Sequence, residues 1–258
     1  MLDLTGKNAF VTGIANNRSI AWGIAQQLHK AGANIGVNYL PDERGRFEKK
    51  VRELVEPISP SIIVPCDVQN DELMDSMFAT IEEKWGRIDI LIHCLAFADK
   101  QDLTGEFCNT SRTGFAKALD ISSYSLNCLA GRARPLMTDG GSIVTLSYIG
   151  GVKVIPNYNV MGVAKSALEM SMRYLAAELG PENIRVNAIS AGPIRTLASS
   201  AVGGILDMIR HVEATAPLRR TVTQTEVGNT AAFLCSDLAS GITGQVIYVD
   251  SGYEIMGM

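Results

Sequence analysis

The stretch Asn8–Leu28 reads NAFVTGIANNRSIAWGIAQQL and contains the pattern that decides the fold. An apolar strand comes first, then a glycine turn and a polar loop, then an apolar-periodic helix from about Ile20. Strand, glycine turn and helix form the phosphate-binding arrangement of dinucleotide folds, in which backbone N–H groups and the positive helix end face a pyrophosphate. The common G-x-G-x-x-G spacing is absent, and Gly13, Ser19 and Gly23 occur instead. We expect Gly13 to make the tight turn, Ser19 to cap the helix and Gly23 to let the helix pack closely on the strand.

On its own, such a turn is equally consistent with a simple chain reversal. The rest of the chain alternates short apolar strands with longer helical patterns, which predicts a parallel sheet covered by helices on both faces. No internal repeat or linker is visible, so residues 1–258 are predicted to form one Rossmann-type, doubly wound α/β domain of about seven strands. The predicted strands are Asn8–Val11, Asn34–Asn38, Ile62–Pro65, Ile88–His93, Ser142–Leu146, Arg185–Ile189 and Gln245–Val249. The predicted helices are Ile20–Ala31, Arg44–Val55, Asp71–Trp85, Ser122–Met137, Tyr158–Leu179 and Gln224–Cys235.

Two segments, Phe97–Phe115 and Ala191–Gly204, do not follow this alternation and are predicted to be loops. Both come after predicted strands, and ligands of open parallel sheets bind beyond the carboxyl ends of the strands. The second segment is rich in small residues, so its ordered state should be only marginally stable. We therefore expect a substrate lid near residues 191–210 that closes over bound ligands.

Composition excludes several classes of protein. Hydrophobic residues make up 47% of the chain and charged residues 19%, which is a globular balance. A net charge of −4 gives no electrostatic case for binding nucleic acid, and no long apolar stretch predicts a membrane span or a signal region. The expected location is the cytosol. Five cysteines without a C-x-x-C pair and three scattered histidines predict no metal site.

The residues with the clearest chemistry are Tyr158 and Lys165. In a helix, their seven-residue spacing returns a side chain to nearly the same face, so a phenol and an ammonium can share one ligand. The Tyr supplies a hydrogen-bond donor and the Lys a positive charge. Tyr148, at the end of a predicted strand, is either a third site residue or a core aromatic.

These motifs carry a resemblance that covers the full length of the chain. The glycine turn, Cys66-Asp67-Val68, Tyr and Lys on one helix, IRVNAISAGPIRT and GITGQVIYVDSG resemble short-chain dehydrogenases/reductases. Two features depart from most of that superfamily: the common Tyr-x-x-x-Lys is broken by Gly162, and the common Asn-Asn-Ala-Gly is replaced by HCLAFA. SYIGG, IPNYNVMGVAK, the longer glycine loop and SAGPIRTLA instead resemble the enoyl-acyl-carrier-protein reductases of bacteria and plastids.

The resemblance implies reduction of a trans-2-enoyl thioester carried by acyl-carrier protein, with NADH, in a cytoplasmic or plastid-stroma-like compartment. It implies a homotetramer. It assigns Tyr148, Tyr158 and Lys165 as catalytic residues, and Ala98, Tyr148 and Tyr158 as the residues facing the acyl thioester. The implied cofactor-binding residues are Gly13, Ser19, Ile20, Asp67, Val68, Leu95, Lys165, Ile194, Arg195 and Thr196.

The residues leave some alternatives open. Leu40-Pro41 offers no cation to a 2′-phosphate at the end of the second predicted strand, which favours NADH, although Arg44 and Arg46 keep NADPH as an alternative. Acyl-carrier protein is acidic, yet no cation lies between Arg195 and Arg210 to dock it. The alternative activities are a 3-oxoacyl or other carbonyl reductase of the same fold and a non-catalytic nucleotide-binding regulator.

Overall fold

The computed structural model describes residues 2–196 and 203–257. The strands are β1 (Asn8–Val11), β2 (Asn34–Tyr39), β3 (Ile62–Pro65), β4 (Ile90–His93), β5 (Gly141–Ser147), β6 (Ile184–Ala191) and β7 (Val246–Val249). The helices are α1 (Ile20–Lys30), α2 (Arg46–Val55), α3 (Asp71–Trp85), α4 (Arg112–Leu119), α5 (Ser125–Ala133), α6 (Asn159–Leu179), α7 (Ile205–Thr215) and α8 (Gln224–Cys235).

All seven strands pair in parallel in one sheet of order β3-β2-β1-β4-β5-β6-β7. Alternate residues of each strand pack on opposite faces, as a pleated strand requires. Val144 of β5 packs into the cluster that α1, α2 and α8 cover, whereas Ile143 packs into the cluster under α3, α5 and α6. The predicted fold, a doubly wound parallel sheet with helices on both faces, is confirmed.

Helices α1 and α8 cross at two glycines. A Cβ on Gly23 would lie 2.6 Å from Cβ of Gln224, and a Cβ on Gly228 would lie 2.6 Å from the carbonyl oxygen of Gly23. The prediction that Gly23 lets α1 approach its strand was therefore wrong, because the close neighbour of Gly23 is α8. Sequence periodicity shows that a helix face is buried but does not show which element covers it.

One helix begins inside a predicted loop, and another overlaps the predicted lid. Residues 112–115 of the predicted Phe97–Phe115 loop belong to α4, whose N-cap is Ser111, the hydroxyl of which accepts the amide of Gly114. Gly114 weakens the helical pattern of the sequence. No larger residue fits at this position, because a Cβ would collide with the Asp102 carboxylate. Helix α7 overlaps the end of the predicted lid near residues 191–210 and buries only Val212. No helix in the described ranges is long and apolar enough to cross a membrane.

The predicted helix Ser122–Met137 divides into three parts. A π-helical turn covers Asp120–Tyr124, α5 follows, and a 3₁₀ turn covers Arg134–Leu136. Pro135 explains the end of α5, because its ring has no N–H to donate and crowds the preceding turn.

The order of the strands places a candidate site. Chain progression reverses between the neighbours β1 and β4, and ligands of such sheets bind in the crevice beyond the carboxyl ends at this point.

Candidate active site

The turn after β1 approaches the end of β4 too closely for any residue but glycine. Gly13 has φ +90°, and a Cβ there would lie 2.0 Å from the carbonyl oxygen of Cys94. Thr12 strengthens this junction, because its amide and its hydroxyl both donate to the carbonyl of Ile92 at 2.9 Å. The predicted role of Gly13 in a tight turn agrees with this geometry.

Ser19 has a different role from the one expected. It occupies the N-cap position of α1, but its side chain makes no capping hydrogen bond. Its hydroxyl instead accepts the amides of Ala15 and Asn16, at 3.0 and 3.1 Å, and so folds the loop back over the helix start. The first amides of α1, beginning with Ile20, are therefore not capped by Ser19. A helix start of this kind suits a pyrophosphate, so the residues here fit a dinucleotide.

The predicted adenine-side residues lie at the same edge of the sheet. Asp67 and Val68 follow β3 and are half-buried, and the Asp67 carboxylate accepts the amide of Gln69 at 3.0 Å. Leu95 follows β4 and packs against the apolar cluster under α3, α5 and α6. Asp42, after β2, is committed to its own loop, because its carboxylate accepts the Phe47 amide and an Arg46 N–H.

Lys165 is buried in the middle of the candidate site. Its side chain is 5% exposed and its Nζ donates to the carbonyl of Leu146 at 2.6 Å. Burial lowers the pKa of this ammonium to about 8. Tyr158 is the residue immediately before α6 rather than its first member, and burial raises the pKa of its phenol, so the hydroxyl stays a neutral donor.

Tyr148 adjoins Tyr158. The two rings meet edge-on, with centroids 4.9 Å apart and an interplanar angle of 67°. The Tyr148 hydroxyl lies 2.8 Å from Sδ of Met208 on α7, and burial raises the pKa of this phenol as well. The structure therefore places Tyr148 against Tyr158, and it holds Lys165 at Leu146, two residues before Tyr148.

The segment after β4 lies along α6. Ala98 is half-buried. Together with Tyr158, it packs against a small buried apolar cluster that contains Leu103, Val160 and Met161. Asn159, next to Tyr158, donates its amide N–H to the carbonyl of Gly105 at 3.2 Å. This arrangement places Ala98 on the Tyr158 side of the crevice.

The predicted nicotinamide-side residues Ile194, Arg195 and Thr196 follow β6 directly. Ile194 packs against the core on the α1 side, and Arg195 is exposed. The predicted lid near residues 191–210 is described only in part, because residues 197–202 lie outside the described ranges. Its last part, from residue 205, belongs to α7.

His93, at the end of β4, is a structural residue. It is fully buried, and its ring nitrogens lie 2.8 Å from the hydroxyls of Thr145 and Ser125. Burial lowers its pKa to about 3, so the ring is neutral at physiological pH.

Sequence reasoning missed one polar pair beside these residues. Glu169 is buried on α6, and its Oε1 accepts the Ser147 hydroxyl at 2.6 Å. One signal was available: an acidic residue four positions after Lys165 on an otherwise apolar helix face.

The comparisons with known proteins agree with this geometry. The family model described as enoyl-(acyl carrier protein) reductase matches residues 13–254. The chain belongs to the enoyl-(acyl carrier protein) reductase family. The resemblance that the motifs indicated is thus confirmed.

Individual relatives of this reductase family match the entire chain. A Nostoc protein named enoyl-[acyl-carrier-protein] reductase [NADH] FabI is 78% identical over all 258 residues of both chains. The Bacillus cereus enoyl-acyl carrier protein reductase, solved with NADP+ and an indole naphthyridinone, is 53% identical, with a TM-score of 0.96 and full coverage of both chains. The Anaplasma phagocytophilum enzyme, solved with NAD, is 47% identical, with a TM-score of 0.94 and coverage of 99% and 96%.

Proposed function

We infer that this chain reduces trans-2-enoyl thioesters of acyl-carrier protein to saturated acyl thioesters, with NADH as the reductant. The observation that carries this inference is the packing of a half-buried, neutral Tyr158 against Tyr148, with the buried Lys165 held two residues before Tyr148, at Leu146. NADH, when bound, supplies a hydride to the β-carbon of the enoyl group. The names of the relatives agree with this activity and with this coenzyme.

Tyr158 stabilises the charge that develops on the thioester oxygen during reduction. Its phenol donates while neutral, and a donor already aimed at a developing oxyanion is worth about 3 kcal/mol of barrier. Tyr148 packs edge-on against that ring and so limits its orientation. Ala98, Tyr148 and Tyr158 are the residues we propose to face the acyl thioester.

Lys165 anchors the ribose of the nicotinamide half, and its charge also favours the anionic intermediate of the substrate. One of its three N–H donors is held by the Leu146 carbonyl, which fixes the ammonium relative to the end of β5. We propose that Gly13, Ser19 and Ile20 line the pyrophosphate. Asp67, Val68 and Leu95 would hold the adenosine half, and Ile194, Arg195 and Thr196 the nicotinamide half.

The loop after β2 supports NADH rather than NADPH. Leu40 and Pro41 carry no charge. The cation Arg46 lies further along this loop, but it already forms an ion pair with Asp42, with Nε 3.1 Å from Oδ2. A 2′-phosphate would therefore depend on Arg44. The NADP+ in the Bacillus cereus structure is a reason to measure both coenzymes.

We also propose a homotetramer. The outward face of α5 and α6 exposes Tyr174 and Met170 beside a groove of about 580 Å³. At the edge of the sheet, the residues of β7 are only half-buried, and Ile255 beyond it is 73% exposed. Apolar surface of this kind commonly marks an interface. Light scattering at micromolar concentration should give about four times the chain mass, and a monomer would contradict the proposal.

Residues 1–258 act in this proposal as one domain with a lid near 191–210, in the cytoplasm or a plastid-like stroma. The acidic acyl-carrier protein must dock on cations that lie outside the stretch between Arg195 and Arg210.

An assay of NADH absorbance tests the activity. Oxidation of NADH is expected with crotonyl thioester and not with acetoacetyl thioester. Oxidation only with acetoacetyl thioester would favour the carbonyl-reductase alternative, and oxidation with neither substrate would favour a non-catalytic nucleotide-binding protein.

A further inference from the structure

Glu169 is a buried carboxylate to which the proposed reaction gives no role. Its side chain is only 4% exposed, and it lies one helical turn after Lys165 on α6. Charged side chains are rarely buried unless partners satisfy them. The partner on the sheet is Ser147, whose hydroxyl donates to Oε1 of Glu169 at 2.6 Å.

Lys165 and Glu169, two of the charged residues of α6, hold consecutive residues of β5. Lys165 donates to the carbonyl of Leu146, and Glu169 accepts from the hydroxyl of Ser147, each over 2.6 Å. The residue that follows is Tyr148. Both hydrogen bonds thus act on the backbone that leads directly into the Tyr148 side chain.

The chain on the other side of Tyr148 is held against the same helix. A Cβ on Gly151 would lie 3.2 Å from Oε1 of Glu169 and 3.2 Å from Cβ of Lys165. The carbonyl of Gly151 also accepts the Ser166 hydroxyl. Tyr148 therefore lies between two attachments to α6: Glu169 makes the one at Ser147 and Ser166 the one at Gly151, which passes close to the Glu169 carboxylate.

Titratable side chains near Glu169 and Lys165 come from α6, β7 and the end of β4. Arg173, on the next turn of α6, places Nη2 3.8 Å from Oε2 of Glu169, and half-exposed Tyr248 of β7 faces Glu169 from the sheet. Cys94 and His93 of the β4 end face Lys165.

We propose that Glu169 is a positioning residue of this enzyme: through Ser147 it fixes the end of β5 that presents Tyr148, and its carboxylate balances the buried ammonium of Lys165. The proposal rests on the proposed function, because it assigns the support of the same site. A supporting shell of this kind holds reacting groups in the geometry that the reaction needs.

The electrostatics point the same way. Burial lowers the pKa of Lys165, and the negative charges of Cys94 and Glu169 act against that shift. Burial also raises the pKa of the Cys94 thiol to about 11, so Cys94 is uncharged near neutral pH. Of these two groups, Glu169 is then the one that favours the charged ammonium.

Two substitutions separate the hydrogen bond from the charge. Glu169→Gln keeps an oxygen that accepts the Ser147 hydroxyl but removes the charge, and Ser147→Ala removes the hydrogen bond but keeps the charge. In the full chain labelled with ¹³C at lysine Cε, with Lys165 assigned by a Lys165→Met variant, E169Q should lower the titration midpoint of Lys165 by roughly one pH unit. The pH at which NADH affinity falls, measured by fluorescence titration, should move with it, and kcat at low pH should stay near that of the wild type.

Ser147→Ala should behave in the opposite way. Its kcat should fall about tenfold, because Tyr148 is less firmly placed, while the Lys165 titration stays unchanged. Glu83→Gln, at an exposed position on α3, is the matched control and should change neither quantity. A wild-type Lys165 titration in E169Q, or a wild-type kcat in S147A, would overturn the proposal. The NMR titration needs no turnover, so a wild-type chain that fails to reduce crotonyl thioester would count against the proposed function alone.

Discussion

The ring of Tyr148 meets the ring of Tyr158 edge-on at a centroid distance of 4.9 Å, which joins the end of β5 to the start of α6. Edge-on aromatic pairs of this kind restrict the orientation of both rings. Both phenols stay neutral at physiological pH, and the buried Lys165 holds the chain at Leu146, two residues before Tyr148. Most of the expected behaviour of the site follows from these three residues.

Tyr158→Phe should lower kcat by roughly a hundredfold or more, because it removes one preorganised donor to the developing oxyanion. NADH affinity should not change, since the ring and Lys165 remain. Turnover with crotonyl thioester and a fluorescence titration with NADH measure the two quantities. Tyr124→Phe, at an exposed tyrosine, is the control. A Tyr158→Phe variant with full turnover would show that another group stabilises the oxyanion.

Lys165→Ala should weaken NADH binding by at least about tenfold, because the ribose loses a charged hydrogen-bond donor. In the wild type, the ammonium is charged below its pKa of about 8, so NADH affinity should fall as pH rises through that value. This dependence on pH should be absent from the variant. Lys84→Ala, exposed on α3, is the control. Normal NADH titration of Lys165→Ala would refute the ribose-anchor role.

The wild type should have a higher kcat/KM with NADH than with NADPH, because no cation directly follows β2. Leu40→Arg should raise kcat/KM for NADPH on the order of tenfold, since it adds a charged donor at the place that a 2′-phosphate needs. Measured kcat/KM for both coenzymes tests both statements. A wild-type preference for NADPH would contradict the first and would point to Arg44 as the phosphate ligand.

Gly23→Ala should lower the free energy of unfolding by about 1–3 kcal/mol, because the new methyl group overpacks the crossing of α1 and α8. The methyl carbon would lie 2.6 Å from Cβ and 2.7 Å from the carbonyl oxygen of Gln224, and backbone gives way less easily than a side-chain end. Urea denaturation measures the change. Gly180→Ala is the control, because a Cβ there meets nothing within 4 Å. Equal stability of the two variants would contradict the close crossing.

His93 should make the wild type sensitive to acid. Its folded pKa is about 3 and its ordinary value 6.5, so the unfolded chain binds the proton more readily and stability falls as pH drops between those values. Between those values, His93 lowers the free energy of unfolding by at most about 1.4 kcal/mol for each pH unit. Unfolding free energies of the wild type and His93→Gln should therefore converge as pH falls from 6.5 towards 3. A difference between the wild type and His93→Gln that stays constant over this pH range would show that burial does not hold the ring neutral.

Much of the fold and of the candidate site could be read from local patterns. The strands β1 and β3 and the helices α3 and α8 begin and end at the predicted residues. The other predicted ends agree or differ by one or two residues, except that the predicted helix Ser122–Met137 exceeds α5 by three residues at its start and four at its end. The Tyr158 and Lys165 pair follows from helical spacing, and the glycine turn follows from its place between a strand and a helix. Helices α4 and α7 were missed: α4 is short and contains Gly114, and α7 follows directly on a stretch of small residues that was predicted to be a loop.

The sequence by itself determined the alternation of strands and helices, the turn at Gly13 and the chemical groups of the site, because periodicity, backbone sterics and residue type act between neighbours in the chain. Only the tertiary structure decided that Gly23 faces α8 and that Glu169 holds Ser147. Each of these last contacts depends on which elements pack against one another. A side chain with several available partners binds the one that folding brings within hydrogen-bond distance, and local sequence does not specify that distance.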